Sequence, residues 1–126
     1  MIQFSPALVE FLTERHLATL VTQRADGTPH AVPVGFTLHG TNARVITFST
    51  SVKAANAARG GRASVTQLDG GRWVTLEGPV TLHSEPSIVA DAVAAYAHRY
   101  RQPKERVDRV VIEIEVDRVM CNGGLK

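Results

Sequence analysis

Apolar and polar positions along this chain fall into two periods, one of two residues and one of about three and a half. The clearest two-residue stretch is Val110 to Val119. Val110, Ile112, Ile114 and Val116 point one way and Glu113, Glu115 and Asp117 the other, which predicts a half-exposed antiparallel strand. The clearest helical stretch is Ser84 to Arg101. There Val89, Val93, Tyr96 and Tyr100 recur on one face until Gln102-Pro103 ends it, and both tyrosines are expected to face the core. Near the start, Ser5-Pro6 reads as a cap and first helical position, and Leu8, Val9, Phe11 and Leu12 form an apolar helix face that runs out near His16.

Between these helices lie short β-rich runs separated by turn signals. Leu17 to Arg24 is a strand that ends at Ala25-Asp26-Gly27-Thr28, a strong hairpin signal. Pro29 to Leu38 is the returning strand, with Pro29 and Pro33 marking an edge or an irregularity. Gly40-Thr41-Asn42 turns the chain into Ala43 to Ser49. Ser51 to Arg59 is a short alanine-rich helix stopped by Gly60-Gly61. Ala63 to Leu68, a turn at Asp69-Gly70-Gly71, and Arg72 to Leu82 with a break at Gly78-Pro79 follow. Strands in hairpin-like succession with three helices predict a mainly β, six- to seven-stranded antiparallel barrel in a single domain, residues 1–126.

Size and composition sharpen this picture. At 126 residues, 44% apolar and 21% charged, the chain reads as one ordinary globular domain. A barrel this small is filled by its own side chains, so a sizeable ligand must lie outside it, where a second subunit can cover it. The single cysteine, Cys121, excludes an internal disulfide, and the first residues lack a signal-peptide pattern. No run is long enough to span a bilayer, so a cytoplasmic protein without a membrane partner is expected. Net charge is only +2, yet no Asp or Glu occurs between Asp26 and Asp69, where Arg44, Lys53, Arg59 and Arg62 all lie. Seven aromatic residues are too few for a single-stranded nucleic-acid groove.

The chemistry-bearing residues are few. His16, His30, His39, His83 and His98 form no metal-ligand spacing, so no metal is expected. Nucleotide-loop and nucleophile-elbow motifs are absent, and no catalytic side chain is assigned. Thr47-Phe48-Ser49-Thr50-Ser51-Val52-Lys53-Ala54-Ala55-Asn56 passes from a strand into a helix start, where a cation opposes the helix dipole. Two readings stay open there: an anion held by Lys53 and the hydroxyls, or a Ser cap followed by a solvated lysine. Trp73 lines a pocket or fills a core or interface. Arg99, Arg101, Lys104, Arg106 and Arg109 are a solvated helix end and loop, or a receiver for an acidic substrate.

Taken in order, several segments resemble the flavin and deazaflavin split β-barrel family, the pyridoxamine 5′-phosphate oxidase superfamily. They are Arg15-His16-Leu17-Ala18-Thr19-Leu20, Ala25-Asp26-Gly27-Thr28-Pro29-His30, Val32-Pro33-Val34-Gly35-Phe36, Ser51-x-Lys53-x-x-Asn56 and Trp73-x-x-x-Glu77-Gly78. Arg72-Trp73 and Tyr96-Ala97-His98-Arg99-Tyr100 look most like the B branch of F420-dependent oxidoreductases, near its biliverdin-reducing members. The resemblance implies a homodimer with the cofactor between subunits. It also implies hydride transfer from reduced F420 to a conjugated, electron-poor small molecule such as biliverdin. FMN in place of F420, or a flavin- or haem-binding protein without turnover, are the alternatives it leaves open. By position, Lys53 would meet the cofactor's phosphate with help from Ser49, Thr50 and Ser51, and Thr47 and Asn56 count among the cofactor-binding residues. Pro33, Val34 and Gly35 would run along the ring system, and Gln67, Arg72 and Trp73 would approach from neighbouring strands. Some relatives carry an arginine two residues before the phosphate lysine, where this chain has Ser51.

Overall fold

Ser5 takes the part its position predicts. Its hydroxyl accepts from the Leu8 amide at 3.0 Å, capping helix α1 (Pro6–Thr13), and donates to the Leu125 carbonyl at 2.6 Å, tying the first helix to the chain's last residues. Leu8, Phe11 and Leu12 are buried, while Val9 stays 40% exposed, so the apolar face is narrower than the spacing predicts. The computed structural model describes residues 2–126, and among these the chain forms three α-helices, eight strands and a final 3-10 turn, Gly123–Leu125.

Strands β1 (Ala18–Gln23) and β2 (Pro29–Val34) form the first hairpin. Gly27 adopts a φ of 87°, and the Asp26 carboxylate accepts from the Thr28 amide and hydroxyl. The return strand does not run on to Leu38. It breaks at Gly35-Phe36, and the remainder, β3 (Thr37–His39), pairs instead with β4 (Asn42–Phe48). Side chains from a distant helix cause the break. Arg99 donates to the Phe36 carbonyl and the Tyr100 hydroxyl accepts from the Phe36 amide, so both backbone groups are satisfied without a neighbouring strand.

Helix α2 (Val52–Ala58) follows β4 and closes one end of the sheet, with Ala54, Asn56 and Ala57 buried. β5 (Arg62–Asp69) and β6 (Arg72–His83) form the longest hairpin, then come α3 (Pro86–Arg99), β7 (Arg109–Ile114) and β8 (Arg118–Cys121). The sequence predicts one strand from Val110 to Val119 and a break in β6 at Gly78. The structure reverses this. β6 is continuous and changes partner along one edge, from β8 at Val74–Glu77 to β7 at Val80–His83. The chain crosses over between those strands at Gly78, where a Cβ would lie 1.8 Å from the Glu115 carbonyl oxygen. Glycine is required there for close approach.

All pairings are antiparallel, and the order is β2-β1-β5-β6-β7-β4-β3 with β8 beside β6. The sheet curls around a core that includes Leu20, Val65, Val74, Leu76, Val45, Ile112 and Ile114, with Phe11, Leu12 and Phe36 packed in. Its end strands β2 and β3 follow each other in sequence but share no ladder, which makes this a split barrel with eight strands rather than six or seven.

Candidate functional site

The segment from Thr47 to Asn56 is built from the inside outward. Thr47, at 3% exposure, donates to the Ser51 hydroxyl at 3.0 Å, and Ser51 in turn accepts from the Ala54 amide as the α2 cap. Asn56 is also buried; its amide donates to Thr22 of β1, and its oxygen accepts from Arg59. Thr47 and Asn56 therefore hold α2 against the sheet, and their polar atoms are already engaged. Ser49 and Thr50 are exposed, and Lys53 is half-buried on the first turn. Burial pushes the Lys53 pKa down. No carboxylate lies within 4.0 Å of its ammonium among the described residues. A cation partly removed from water with nothing opposite it is a good anion receiver.

The strand-borne candidates divide differently. Pro33 lies exposed on the outer face of β2, Val34 is buried beneath it, and Gly35 sits at the break. A Cβ on Gly35 would come within 3.0 Å of the Tyr96 and Tyr100 rings, so helix α3 backs this backbone directly. Gln67 is fully buried; it donates to the Phe11 carbonyl at 2.9 Å and accepts from Arg99 at 2.5 Å. Both ends of its side-chain amide are thereby engaged within the frame. Arg72 is committed too. It forks onto both Glu14 oxygens at 3.0 and 2.9 Å, bonds Asp69 at 2.6 Å and lies over the Phe11 ring. These bonds, with a smaller one from His16, hold the Glu14 carboxyl near a pKa of about 2. Glu14, His16 and Asp69 place one ligand atom each within 4.8 Å, a grouping the sequence spacing does not reveal. Arg72 already supplies the positive charge at that point.

Trp73 belongs to a feature that spans five strands. Register aligns Pro33, Thr19, Thr66, Thr75 and Met120 in one row across β2, β1, β5, β6 and β8. Leu68 and Trp73 form the neighbouring pair on the same outward face. Leu17, Leu68, Trp73 and Met120 are 64%, 65%, 37% and 41% exposed, and the middle of the face carries no charge. Among the described residues its ion pairs, Arg62–Asp117 and Glu77–Arg118, lie toward one margin. Sequence reading passes over this face because threonine suits any half-exposed strand. The available signal was the missing charge: the outward positions of β1, β5 and β6 near these rows are Thr, Val, Ser, Leu and Trp.

The sequence matches the pyridoxamine 5′-phosphate oxidase family model over residues 4–121. The chain belongs to that family. Among pyridoxamine 5′-phosphate oxidase-like proteins, the F420H2-dependent biliverdin reductase of Mycobacterium tuberculosis (strain CDC 1551 / Oshkosh) is 47% identical over 125 residues, covering 98% of this chain and 91% of that protein. The crystal structure of the conserved hypothetical protein Rv2991 from Mycobacterium tuberculosis superposes with a TM-score of 0.80 at 26% identity, over 95% of this chain and 85% of the other. A solved F420 reductase shares the fold, with a TM-score of 0.74 at 22% identity over 88% and 94% of the two chains. The family and fold implied by the ordered motifs are those found.

Proposed function

We propose that this protein is an F420H2-dependent oxidoreductase that reduces a conjugated, electron-poor substrate, with biliverdin as the substrate. The observation that carries the reading is the 47% identity, over nearly the whole chain, with a biliverdin reductase that uses F420H2. When bound, the reduced deazaflavin supplies the hydride, and a proton completes the two-electron reduction. What the chain contributes is orientation and electrostatics. Lys53, half-buried and without an acidic partner, receives the phosphate with Ser49 and Thr50 beside it. The backbone at Pro33, Val34 and Gly35 lies along the ring system, held from behind by Tyr96 and Tyr100. Thr47, Ser51, Asn56 and Gln67 keep these elements in place through their internal hydrogen bonds.

The uncharged face centred on Thr66 supports a homodimer as the working form. A two-fold pairing of this face would bury Leu68, Trp73 and Met120 and would place Trp73 beside the partner's cofactor.

Titrating the purified protein separately with F420 and FMN tests the cofactor, and mixing F420H2 with biliverdin tests the reaction. F420 is expected to bind more tightly, and biliverdin absorbance is expected to fall as F420H2 is oxidised. Tighter binding of FMN overturns the cofactor assignment. F420 binding without oxidation by biliverdin, quinones or enones leaves a carrier instead of an enzyme.

A further inference from the structure

A recess of about 510 Å³ opens where the end of α1, the start of β1 and the last turn of α3 meet, lined by Arg15, Leu17, Tyr96, Tyr100 and Arg101. The chain holds eleven arginines. Nine of them have an oxygen partner within 4.0 Å: Glu113, Asp117, Glu14 with Asp69, Asp108 and Glu77 serve five, and carbonyl, hydroxyl or amide oxygens serve Arg24, Arg59, Arg99 and Arg109. The two without such a partner among the described residues are Arg15 and Arg101. Both line this one recess, and no acidic residue lines it with them.

The wall that shares this recess with the two arginines is aromatic and fixed. The Tyr96 and Tyr100 rings lie 4.9 Å apart at 33°, and the Tyr100 hydroxyl donates to the His16 carbonyl at 2.6 Å. Leu17, 64% exposed, adds apolar surface to the lining. The same two rings meet Gly35, so the recess adjoins the backbone proposed to carry the cofactor ring. Two unpaired cations lining the same recess as a rigid aromatic wall suit a planar conjugated body that bears carboxylates.

We infer that this recess is the substrate subsite. Arg15 and Arg101 take carboxylate arms of a conjugated organic acid, and Tyr96, Tyr100 and Leu17 take its flat body. The inference rests on the reductase reading above and specifies the substrate class for that site. Biliverdin, with two propionate arms on a linear tetrapyrrole, is a member of the class. Carboxylates on the cofactor's own glutamate tail share this chemistry, and the test separates the two sources.

Arg15→Gln, Arg101→Gln and the double variant should be compared with wild type for equilibrium binding of biliverdin, of biliverdin dimethyl ester and of F420. Each single variant is expected to weaken biliverdin binding and raise its KM roughly tenfold, the low end for a charged hydrogen bond at an exposed site. The dimethyl ester should bind wild type and variants alike, while F420 affinity, kcat and melting temperature stay at wild-type values. Unchanged biliverdin affinity in the double variant overturns the subsite. So does a fall in F420 affinity with biliverdin binding unaltered, which assigns the arginines to the cofactor tail. If biliverdin binds through both arginines but is not reduced by F420H2, the subsite stands and the reductase reading falls. If wild type reduces biliverdin and the variants match it, the reverse holds.

Discussion

The two outer faces of the sheet were built from the same two-residue alternation, yet they are finished in opposite ways. The face formed by β3, β4 and β7 is roofed by α3, which buries Ala92 against it, and the outward-pointing Val111 is fully buried as well. A charged pair sits on this half: Arg44, at 8% exposure, donates to Glu113 at 2.8 Å, with Asn42 completing the carboxylate's second oxygen. Burial works to raise the Glu113 pKa, and the hydrogen bonds from Asn42 and Arg44 outweigh it, so the carboxyl is held below its ordinary value. The face formed by β2, β1, β5, β6 and β8 has no such roof and no charge at its centre, only the hydroxyls of Thr66 and Thr75 bonded to each other at 2.8 Å. A face finished by its own helix can afford ions because their partners are built in. One left bare of charge is suited to a second copy of itself.

Placing a charge on the bare face breaks the comparison most directly. In the proposed dimer, Thr66→Arg would set like charges opposite each other across the two-fold axis, a penalty of several kcal/mol, and should leave a monomer with F420 affinity reduced roughly a hundredfold or more. Sedimentation and F420 titration check this; a dimer that persists with normal affinity means the subunits meet elsewhere.

On the roofed face the expected damage is to folding. Glu113→Ala strands the buried Arg44 guanidinium and should cost about 3 kcal/mol in urea unfolding, whereas Arg44→Met with Glu113→Leu should recover much of it. The pair's contribution also has a pH signature. With the Glu113 pKa lowered from 4.5, that stability is fully present above the unfolded value and fades as pH falls through the folded one, so the double variant should lose less stability in acid.

The smallest change separates site from scaffold. Lys53→Ala would remove the proposed charged contact to the phosphate, of a kind worth about 1.5–3 kcal/mol, so F420 affinity should fall roughly ten- to a hundredfold. The apo protein should melt at the same temperature or slightly higher, because burial penalises the charged lysine until an anion arrives. An unchanged F420 affinity returns Lys53 to the surface.

Local chemistry was legible in the chain wherever the cause lay within a few residues. Ser5 and Ser51 cap their helices through amides three positions on, and Asp26-Gly27 turns the first hairpin with its own carboxylate and a positive φ. The charge gap around Lys53 is a property of order along the chain, and so is the alternation of Val110, Ile112 and Ile114. Three things depended on residues far apart in sequence. The break at Phe36 is made by Arg99 and Tyr100, 63 and 64 positions away. The partners of Gln67 and Arg72 are set by the fold, which brings Phe11, Arg99 and Glu14 against them. The isolation of Arg15 and Arg101 is visible only after every other arginine has found its partner. Sequence by itself determined the elements, since caps, turns and periodicity act over one turn or one strand pair. Tertiary structure decided which polar groups remain free to meet a ligand, because a hydrogen bond taken up across the fold is no longer available, and that depends on positions tens of residues apart.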